Sequence, residues 1–509
     1  MSENYPKQLS VKGLITHQHP DLDAIFALHL LIVHGKDAFP GAEDAPIQFV
    51  SANNLPDGKT ADQLEEEGIV TVDTGGGRFD THPVEGEANE EKWDTCASQL
   101  VAEALGADKL PEYRFLLPYT LNHDAKGQSL TSREATHHLL APHGLVEGLH
   151  RHLDDDLKVV GVLRKLLAGL ATSGAAEEPS LAETAAMFDK TLAEFFRREE
   201  FGDPTHVRKE FPEWPVEGEA HTEARSRGWE MRRDLEKLLK MDAWLLAGSD
   251  NAMPDLELER RILLTSALHG LATIHGEGTD DYYTAVFPLL QAVVTREADW
   301  FQAIDEVERS AKVIRGRGLS LVAIASRNGL AIKAARYRRG ANAVLYYDPS
   351  SGNVTLQSGQ KKDGSPILNL ERISGRLRVA EIAKRRGNGP KPPRNINDVG
   401  LVEGWFLHPS LKLLNRGSPK AQDVEPSALS WKEIIEMVRT DLRPDEKMPE
   451  WFCPADKCIE AKCSFYPLRL ANCHAHRRNL RETPQAGTLG DLFADKLKQA
   501  KPQGKGKRR

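Results

Sequence analysis

An α/β fold is what this 509-residue sequence predicts, and three observations carry the prediction. Its first 140 or so residues alternate short apolar runs of strand length with segments whose apolar residues recur at helical spacing. From about Leu149 to Val313 the pattern becomes wholly helical. Strand and helix signals then alternate again, up to about residue 440. The chain therefore reads as a parallel-sheet domain, a helical segment and a smaller C-terminal α/β domain, followed by a cysteine-rich module.

The elements follow in order. Gly13-Leu14-Ile15-Thr16 is a short buried strand, and Ala24 to His34 after it has helical apolar spacing. Ile47 to Val50 and Gly68 to Val72 are further strands, separated by turn-rich segments. Repeated strand–loop–helix units imply a mostly parallel sheet, in which ligands sit outside the carboxyl ends of the strands. Leu157–Leu170, Leu181–Phe196, Trp229–Leu246, Leu256–Ile274 and Asp281–Val307 carry apolar residues at three- and four-residue steps and read as helices that bury their own stripes. Leu319–Ala325 and Ala343–Tyr347 are strands, with a helix over Gly329–Arg338 between them. A turn at Pro349–Asn353 leads to a strand at Val354–Leu356, and Leu368–Arg385 is helical.

Composition narrows the function. Net charge is −8, so the molecule as a whole is no polyanion binder. No apolar run reaches the roughly 20 residues a membrane span needs. The first residues lack the apolar core and cleavage site of a secretory signal. Five cysteines in this length are no disulfide framework. A cytoplasmic protein with no membrane partner is expected, with a homodimer as its candidate assembly.

Chemistry concentrates in three segments. Thr16-His17-Gln18-His19-Pro20-Asp21-Leu22-Asp23 follows the first strand and opens the first helix, bringing imidazoles and two carboxylates to a strand's carboxyl end. His with Asp is a ligand set for Mn²⁺ or a similar cation. The second segment is Asp73-Thr74-Gly75-Gly76-Gly77-Arg78-Phe79-Asp80-Thr81-His82, and the third is Asn122-His123-Asp124-Ala125-Lys126-Gly127. Each residue also has a plainer reading. Asp21 or Asp23 alone suits a helix N-cap, Arg78 suits an ion pair with a nearby acid, and Asp124 suits a turn. His143, His150 and His152 read as helix or rim histidines. Gly75-Gly76-Gly77 lacks the Gly-Lys-Ser/Thr that completes a P-loop.

Taken together, the run HxHPDLDAI resembles the first motif of the DHH phosphoesterase superfamily, and VDTGGGRFDTH resembles a fusion of its second and third motifs. NHDAKG falls where the fourth motif's Asp is placed. The similarity covers roughly residues 10 to 130 and is closest to a branch of metal-dependent hydrolases and exonucleases. It implies a DHH-like catalytic domain over 10–148, a helical linker or cap over 149–307 and a substrate domain over 308–440. It further implies two Mn²⁺ (or Mg²⁺) ions. His17, Asp21 and Asp73 would hold one, while Asp23, Asp73, Asp124 and a residue of the Asp80–His82 motif would hold the other. His19, Arg78 and His82 would stabilise the phosphoryl group, with Lys126 a further cation nearby. One departure stands out: Thr81 replaces the family's first histidine.

Cys453, Cys458, Cys463 and Cys473 lie within twenty-one residues. Four such thiolates suit a structural Zn²⁺, with an iron–sulfur cluster as second candidate. This module spans about 450–480. Its interleaved aromatic and basic residues suit single-stranded nucleic acid, as does the basic, disordered tail expected over 485–509. The leading expectation is a phosphodiesterase or exonuclease acting on nucleic acid or short oligonucleotides through metal-activated water. The alternatives are a nucleic-acid-binding or regulatory protein on a degenerate scaffold, and a phosphohydrolase of small molecules or cyclic dinucleotides. Removing residues 445–509 is expected to weaken binding of single-stranded polymer while sparing turnover of a short ester. The seven basic residues from Lys496 to Arg509 set the scale: the slope of log affinity against log salt should shrink by up to about 5. An unchanged slope defeats the assignment.

Overall fold

The run Gly-Leu-Ile-Thr-His carries no acid or base until its last residue, and it forms β1 (Gly13–His17), buried along nearly its whole length. A strand covered on both faces belongs at the centre of a parallel sheet. β1 pairs parallel with β2 (Ile47–Val50), matching Leu14 to Ile47, and parallel with β3 (Ile69–Thr71), matching Gly13 to Ile69. The computed structural model describes residues 9–51, 54–81, 94–126, 140–176, 180–198, 261–316, 318–361, 365–386, 400–402, 404–408 and 410–442. The sheet order β2-β1-β3 sends the chain first to one side of β1 and then to the other. The crevice outside the carboxyl ends of β1 and β3 is thus a topological switch point, where open α/β sheets bind ligands.

Helix α1 (Leu22–His34) leaves β1 through that crevice, and every residue from Leu22 to Leu31 is buried. A helix apolar on all sides must be enclosed by protein. α1 packs against α3 (Ala97–Leu105), α4 (Leu116–Lys126), α5 (Pro142–His152) and α6 (Asp156–Ala175), as well as against β1. α2 (Ala61–Glu66) begins with a capping box between Thr60 and Gln63 and leads to β3. The later helices α7 (Leu181–Arg198), α8 (Leu264–His275) and α9 (Asp280–Ser310) share one apolar core with α1, from Val11 to Val294. The helical segment is therefore continuous with the parallel-sheet unit. The expected helix over 229–246 lies outside the described residues.

The structure divides into two compact units. The first contains the described residues up to Ser310 together with Ser326–Ala334 and Gly417–Glu425, two pieces that come from later in the chain. The second holds a seven-stranded sheet in the order β4-β5-β6-β7-β10-β9-β8. Its strands are β4 (Lys312–Gly316), β5 (Leu319–Ala325), β6 (Ala343–Tyr347), β7 (Val354–Ser358), β8 (Gly400–Val402), β9 (Trp405–Leu407) and β10 (Leu413–Arg416). Only β5 and β6 pair parallel; the other neighbours are antiparallel. This sheet is larger and more antiparallel than the alternating pattern suggested, because β8 and β9 have only three residues each and charged or polar residues interrupt β4 and β10. α10 (Ala331–Arg339) contributes its first turn to the first unit, while α11 (Glu371–Arg386) and α12 (Trp431–Leu442) pack in the second. No helix among the described residues is long and apolar enough to cross a membrane.

Two glycines set the closest helix crossing in the first unit. A Cβ at Gly270 of α8 would fall 1.8 Å from the carbonyl oxygen of Gly169 of α6. No rotamer relieves that clash, so the helices must separate. Gly270→Ala is expected to destabilise the protein by about 1–3 kcal/mol through overpacking. Gly161→Ala, also in α6 but with nothing within 4 Å of the new methyl, should stabilise it by about 0.5–1 kcal/mol. Thermal melts of both variants check the contrast, and equal melts would contradict the crossing.

Candidate metal centre

β1 delivers His17 to the crevice as its last residue, fully buried. Its Nδ1 lies 2.8 Å from the carbonyl oxygen of Gln18 and its Nε2 lies 3.1 Å from Oδ2 of Asp73. A carbonyl oxygen can only accept, so Nδ1 carries the proton and Nε2 turns to the carboxylate. An imidazole anchored through one nitrogen with the other presented to a carboxylate is the arrangement metal-ligating histidines use.

Asp73 follows β3 and adopts φ +54, a left-handed conformation that non-glycine residues seldom hold. Its N–H donates to Phe79 across the Gly75–Gly77 turn. Gly75 and Gly76 take positive φ, and a Cβ at Gly77 would meet the Thr71 hydroxyl at 2.7 Å. The glycine run is therefore what lets the chain reverse so tightly behind Asp73. Asp80 closes this turn: it is buried and accepts from Gly76 N at 2.6 Å.

Asp21 caps α1, accepting from Ala24 N at 3.1 Å. Its second oxygen, Oδ2, receives the ammonium of Lys420, from the 417–425 piece. One potential ligand atom from each of His17, Asp21 and Asp73 lies within 4.8 Å of the others. Asp23, the second residue of α1, is buried and accepts from Ala97 N and Ser98 N at 2.7 and 2.9 Å, seating the N-terminus of α3. Both capping readings of these acids hold in part, and neither removes the acids from the crevice. Asp124 sits on α4, not in a turn, with its side chain reaching solvent at the rim.

The electrostatics follow from crowding. Burial, and then the charges of Asp73 and Asp21, push the Asp23 carboxyl up to about 7. Asp124 is raised well above the carboxylate range by the surrounding protein and by Asp23, Asp21 and Asp73. Burial also opposes ionisation of Asp21, but Lys420, His17 and the Ala24 N–H together outweigh it and hold that carboxyl well below the ordinary range.

These groups open onto a cavity of about 320 Å³ lined by His19, Asp21, Asp23 and Asp124 on one side. The other side is supplied by His143, Glu147 and His150 of α5 and by Lys333. Glu147 bonds Lys333 at 2.9 Å and Arg296 at 3.0 Å. Burial alone would raise its carboxyl, yet Lys333 and Arg296 bring it down to about 2. His143 accepts or donates at Nδ1 to the Tyr119 hydroxyl and stacks on His123 with ring centroids 4.4 Å apart. Its buried Nε2 has no partner among the described residues.

The structure thus brings together His17, His19, Asp21, Asp23, Asp73 and Asp124. Asp80 stays in the turn behind them. Arg78 does not join the group: its guanidinium grips Glu65 on α2. His82, Cys453, Cys458, Cys463 and Cys473 lie outside the described residues, as does the side chain of Lys126. Sequence reasoning set aside His143 and His150, although the spacing His143–Glu147–His150 puts three polar groups on one face of α5. Nothing in the sequence announces Lys420, which lies 399 residues from its partner Asp21.

No protein-family model matches this chain, and neither does any curated protein or solved structure at a significant level. The donor set itself fits a divalent cation. One imidazole and clustered carboxylates suit Mn²⁺ or Mg²⁺, and His17 is already turned for ligation.

Lys420 competes with such a cation for Asp21. Both side chains are 36% exposed, so the pair is worth on the order of 1 kcal/mol after solvent screening. Lys420→Met should therefore melt about 2–4 °C below the wild type in chelator. Saturating Mn²⁺ should raise the variant's melt by more than it raises the wild type's, because the ion then meets no ammonium at Asp21. Identical Mn²⁺ responses would show that Lys420 and the cation do not share that carboxylate.

Proposed function

We propose that the first unit is the catalytic body of a DHH-type, metal-dependent phosphoesterase acting on nucleic acid or short oligonucleotides. The observation that carries this reading is the meeting of His17, Asp21 and Asp73 at the switch point of a parallel sheet, with Asp23 and Asp124 beside them. On this reading His17, Asp21 and Asp73 hold one cation, and Asp23, Asp73 and Asp124 hold the second. When bound, such a pair supplies charge neutralisation at a phosphoryl group and a water acidic enough to attack at neutral pH.

The chain's own residues do the rest. Asp23 is fixed by two backbone N–H groups and Asp21 by its capping bond, and an ion at Asp21 takes the place of the Lys420 ammonium. Lys333 and His19 line the cavity, and Lys420 reaches Asp21, which lines it too; the three offer positive or donor groups to non-bridging phosphate oxygens. The cavity, about 320 Å³, falls in the range of small-ligand pockets, roughly 300–1,000 Å³. That suits one nucleotide-sized group at a strand end. The seven basic residues from Lys496 to Arg509 and the cysteine-rich segment favour a polymer over a small phosphate ester.

A second reading has its own support. Lys420 on Asp21, with Thr81 where the family has histidine, suits a binding protein whose acidic crevice is neutralised by an ammonium ion. One assay separates the two. The full chain is incubated with Mn²⁺ and single-stranded RNA, single-stranded DNA and short oligonucleotides, beside the Asp21→Ala, Asp23→Ala double variant. The wild type should release product, Asp73→Asn should slow it by about 100-fold or more, and the double variant should be inert. Equal product from wild type and double variant under every metal would leave the binding reading.

A further inference from the structure

A second group of ligand atoms converges on the same cavity, and none of its members belongs to the His17–Asp21–Asp73 set. His19, in the strand-to-helix turn, His150, on the last turn of α5, and Asp156, at the start of α6, each place one potential ligand atom within 4.8 Å of the other two. We propose that His19, His150 and Asp156 form a binding site for a transition-metal ion of the zinc class, with an open coordination position facing the cavity. The proposal stands apart from the phosphoesterase reading.

The orientation of each group is decided by its other bonds. Asp156 accepts the His19 backbone N–H through Oδ2 at 2.9 Å. That leaves Oδ1 to face His150 Nδ1 at 3.5 Å and His19 Nδ1 at 4.0 Å. Both separations are too long for hydrogen bonds. They lie close to the spacing, about 3.3–3.5 Å, of two ligands held at 2.0–2.2 Å on one tetrahedral ion. His150 Nε2 lies 2.8 Å from the Pro20 carbonyl oxygen. That oxygen only accepts, so the ring proton is at Nε2 and the Nδ1 lone pair is turned to the carboxylate. A nitrogen so aimed at an anion takes either a proton or a metal ion between them, and the anchoring of the opposite ring nitrogen on a backbone carbonyl is what metal-bound histidines show.

The two rings are tilted by 53° with centroids 5.0 Å apart, so they are not stacked. His19 reaches this position with φ +47, a conformation a histidine rarely takes. Two imidazoles and one carboxylate favour Zn²⁺ or Co²⁺ over Mg²⁺ or Ca²⁺, in contrast to the carboxylate-rich group nearby. Three protein ligands with one position open is the count of sites that also take an exogenous ligand. His19 and His150 both line the cavity, so that ligand is an anionic oxygen of a molecule bound there, of the phosphate or carboxylate class.

The test counts metal. The full-length chain, stripped with chelator, is dialysed against Zn²⁺ in excess Mg²⁺ and its zinc content measured. His19→Gln is the least disruptive variant, because the His19 N–H to Asp156 and the His150–Pro20 bonds both survive. It and His150→Gln should each hold about one Zn²⁺ per chain less than the wild type. Asp21→Asn with Asp73→Asn should keep that ion, and zinc held by the cysteines is common to every sample. Thermal melts in chelator identify any variant that has not folded. Wild-type zinc content in folded His19→Gln and His150→Gln overturns the site and makes the group a protonated His–Asp pair. The phosphoesterase reading is tested on other residues, through Asp21→Ala with Asp23→Ala and through Asp73→Asn, so the two readings fail separately.

Discussion

Carboxylates gathered at the carboxyl ends of β1 and β3 impose the constraint that organises the first unit. Two like charges 4 Å apart repel by about 4 kcal/mol at an effective dielectric of 20, and Asp21, Asp23, Asp73 and Asp124 crowd one crevice. The chain meets this by giving each of the inner three a partner of different origin. Asp23 receives backbone N–H groups from the start of α3, Asp73 faces His17 of β1, and Asp21 receives Lys420 from the returning 417–425 piece. The acids therefore hold separate stretches of chain in register. The same groups that suit a cation also tie β1, β3, α1 and α3 together.

Around that crevice the fold supplies rigidity. α1 is enclosed on every side, so Asp21 and Asp23 ride on an element that cannot roll without opening the core. The Gly169–Gly270 crossing brings α6 and α8 into backbone contact, and α6 carries Asp156 at its first residue. α5 lies across from α1 and offers one polar face, His143–Glu147–His150, while its Leu145 and Leu149 are buried in the core. The segment expected as a helical linker or cap shares the core of the first unit, and its His150 and Asp156 lie beside the site. Its apolar stripes and its polar faces serve the same body.

Much of this was legible from residues alone. β2, β5 and β6 end where their apolar runs end, and β1 gains only His17 beyond its run. The strand-end rule pointed to the segments after β1 and β3, and the resemblance to the DHH motifs is what grouped His17, Asp21, Asp23 and Asp73. What escaped was non-local. Lys420 and Lys333 arrive from pieces that return to the first unit after long excursions, and no spacing rule reaches across that distance. Arg78 illustrates the opposite failure. Proximity in sequence to Asp73 suggested a catalytic role, yet the glycine turn points it at Glu65 of α2. Short strands such as β8 and β9, three residues each, carry too few residues for a period of two to register.

Stability alone does not account for what the crevice contains. A fold under no other demand would fill such a site with apolar side chains of similar volume, since buried ionic clusters rarely repay their desolvation. Here several liabilities meet: an Asp23 carboxyl displaced to about 7, a buried His143 nitrogen without a partner among the described residues, and two of the four described non-glycine residues at positive φ. Those two residues are His19 and Asp73, one at each strand end that frames the crevice, and each belongs to a different candidate ion site. Ion pairs and helix caps explain why Asp21 and Asp23 are tolerated. They do not explain why the backbone is held in a strained conformation at both rims to turn an imidazole and a carboxylate inward. Strain of this kind persists where the surroundings over-determine it and collects at binding and catalytic sites. Its coincidence with two convergent donor sets, one rich in carboxylate and one in imidazole, is what makes the crevice a candidate cation site.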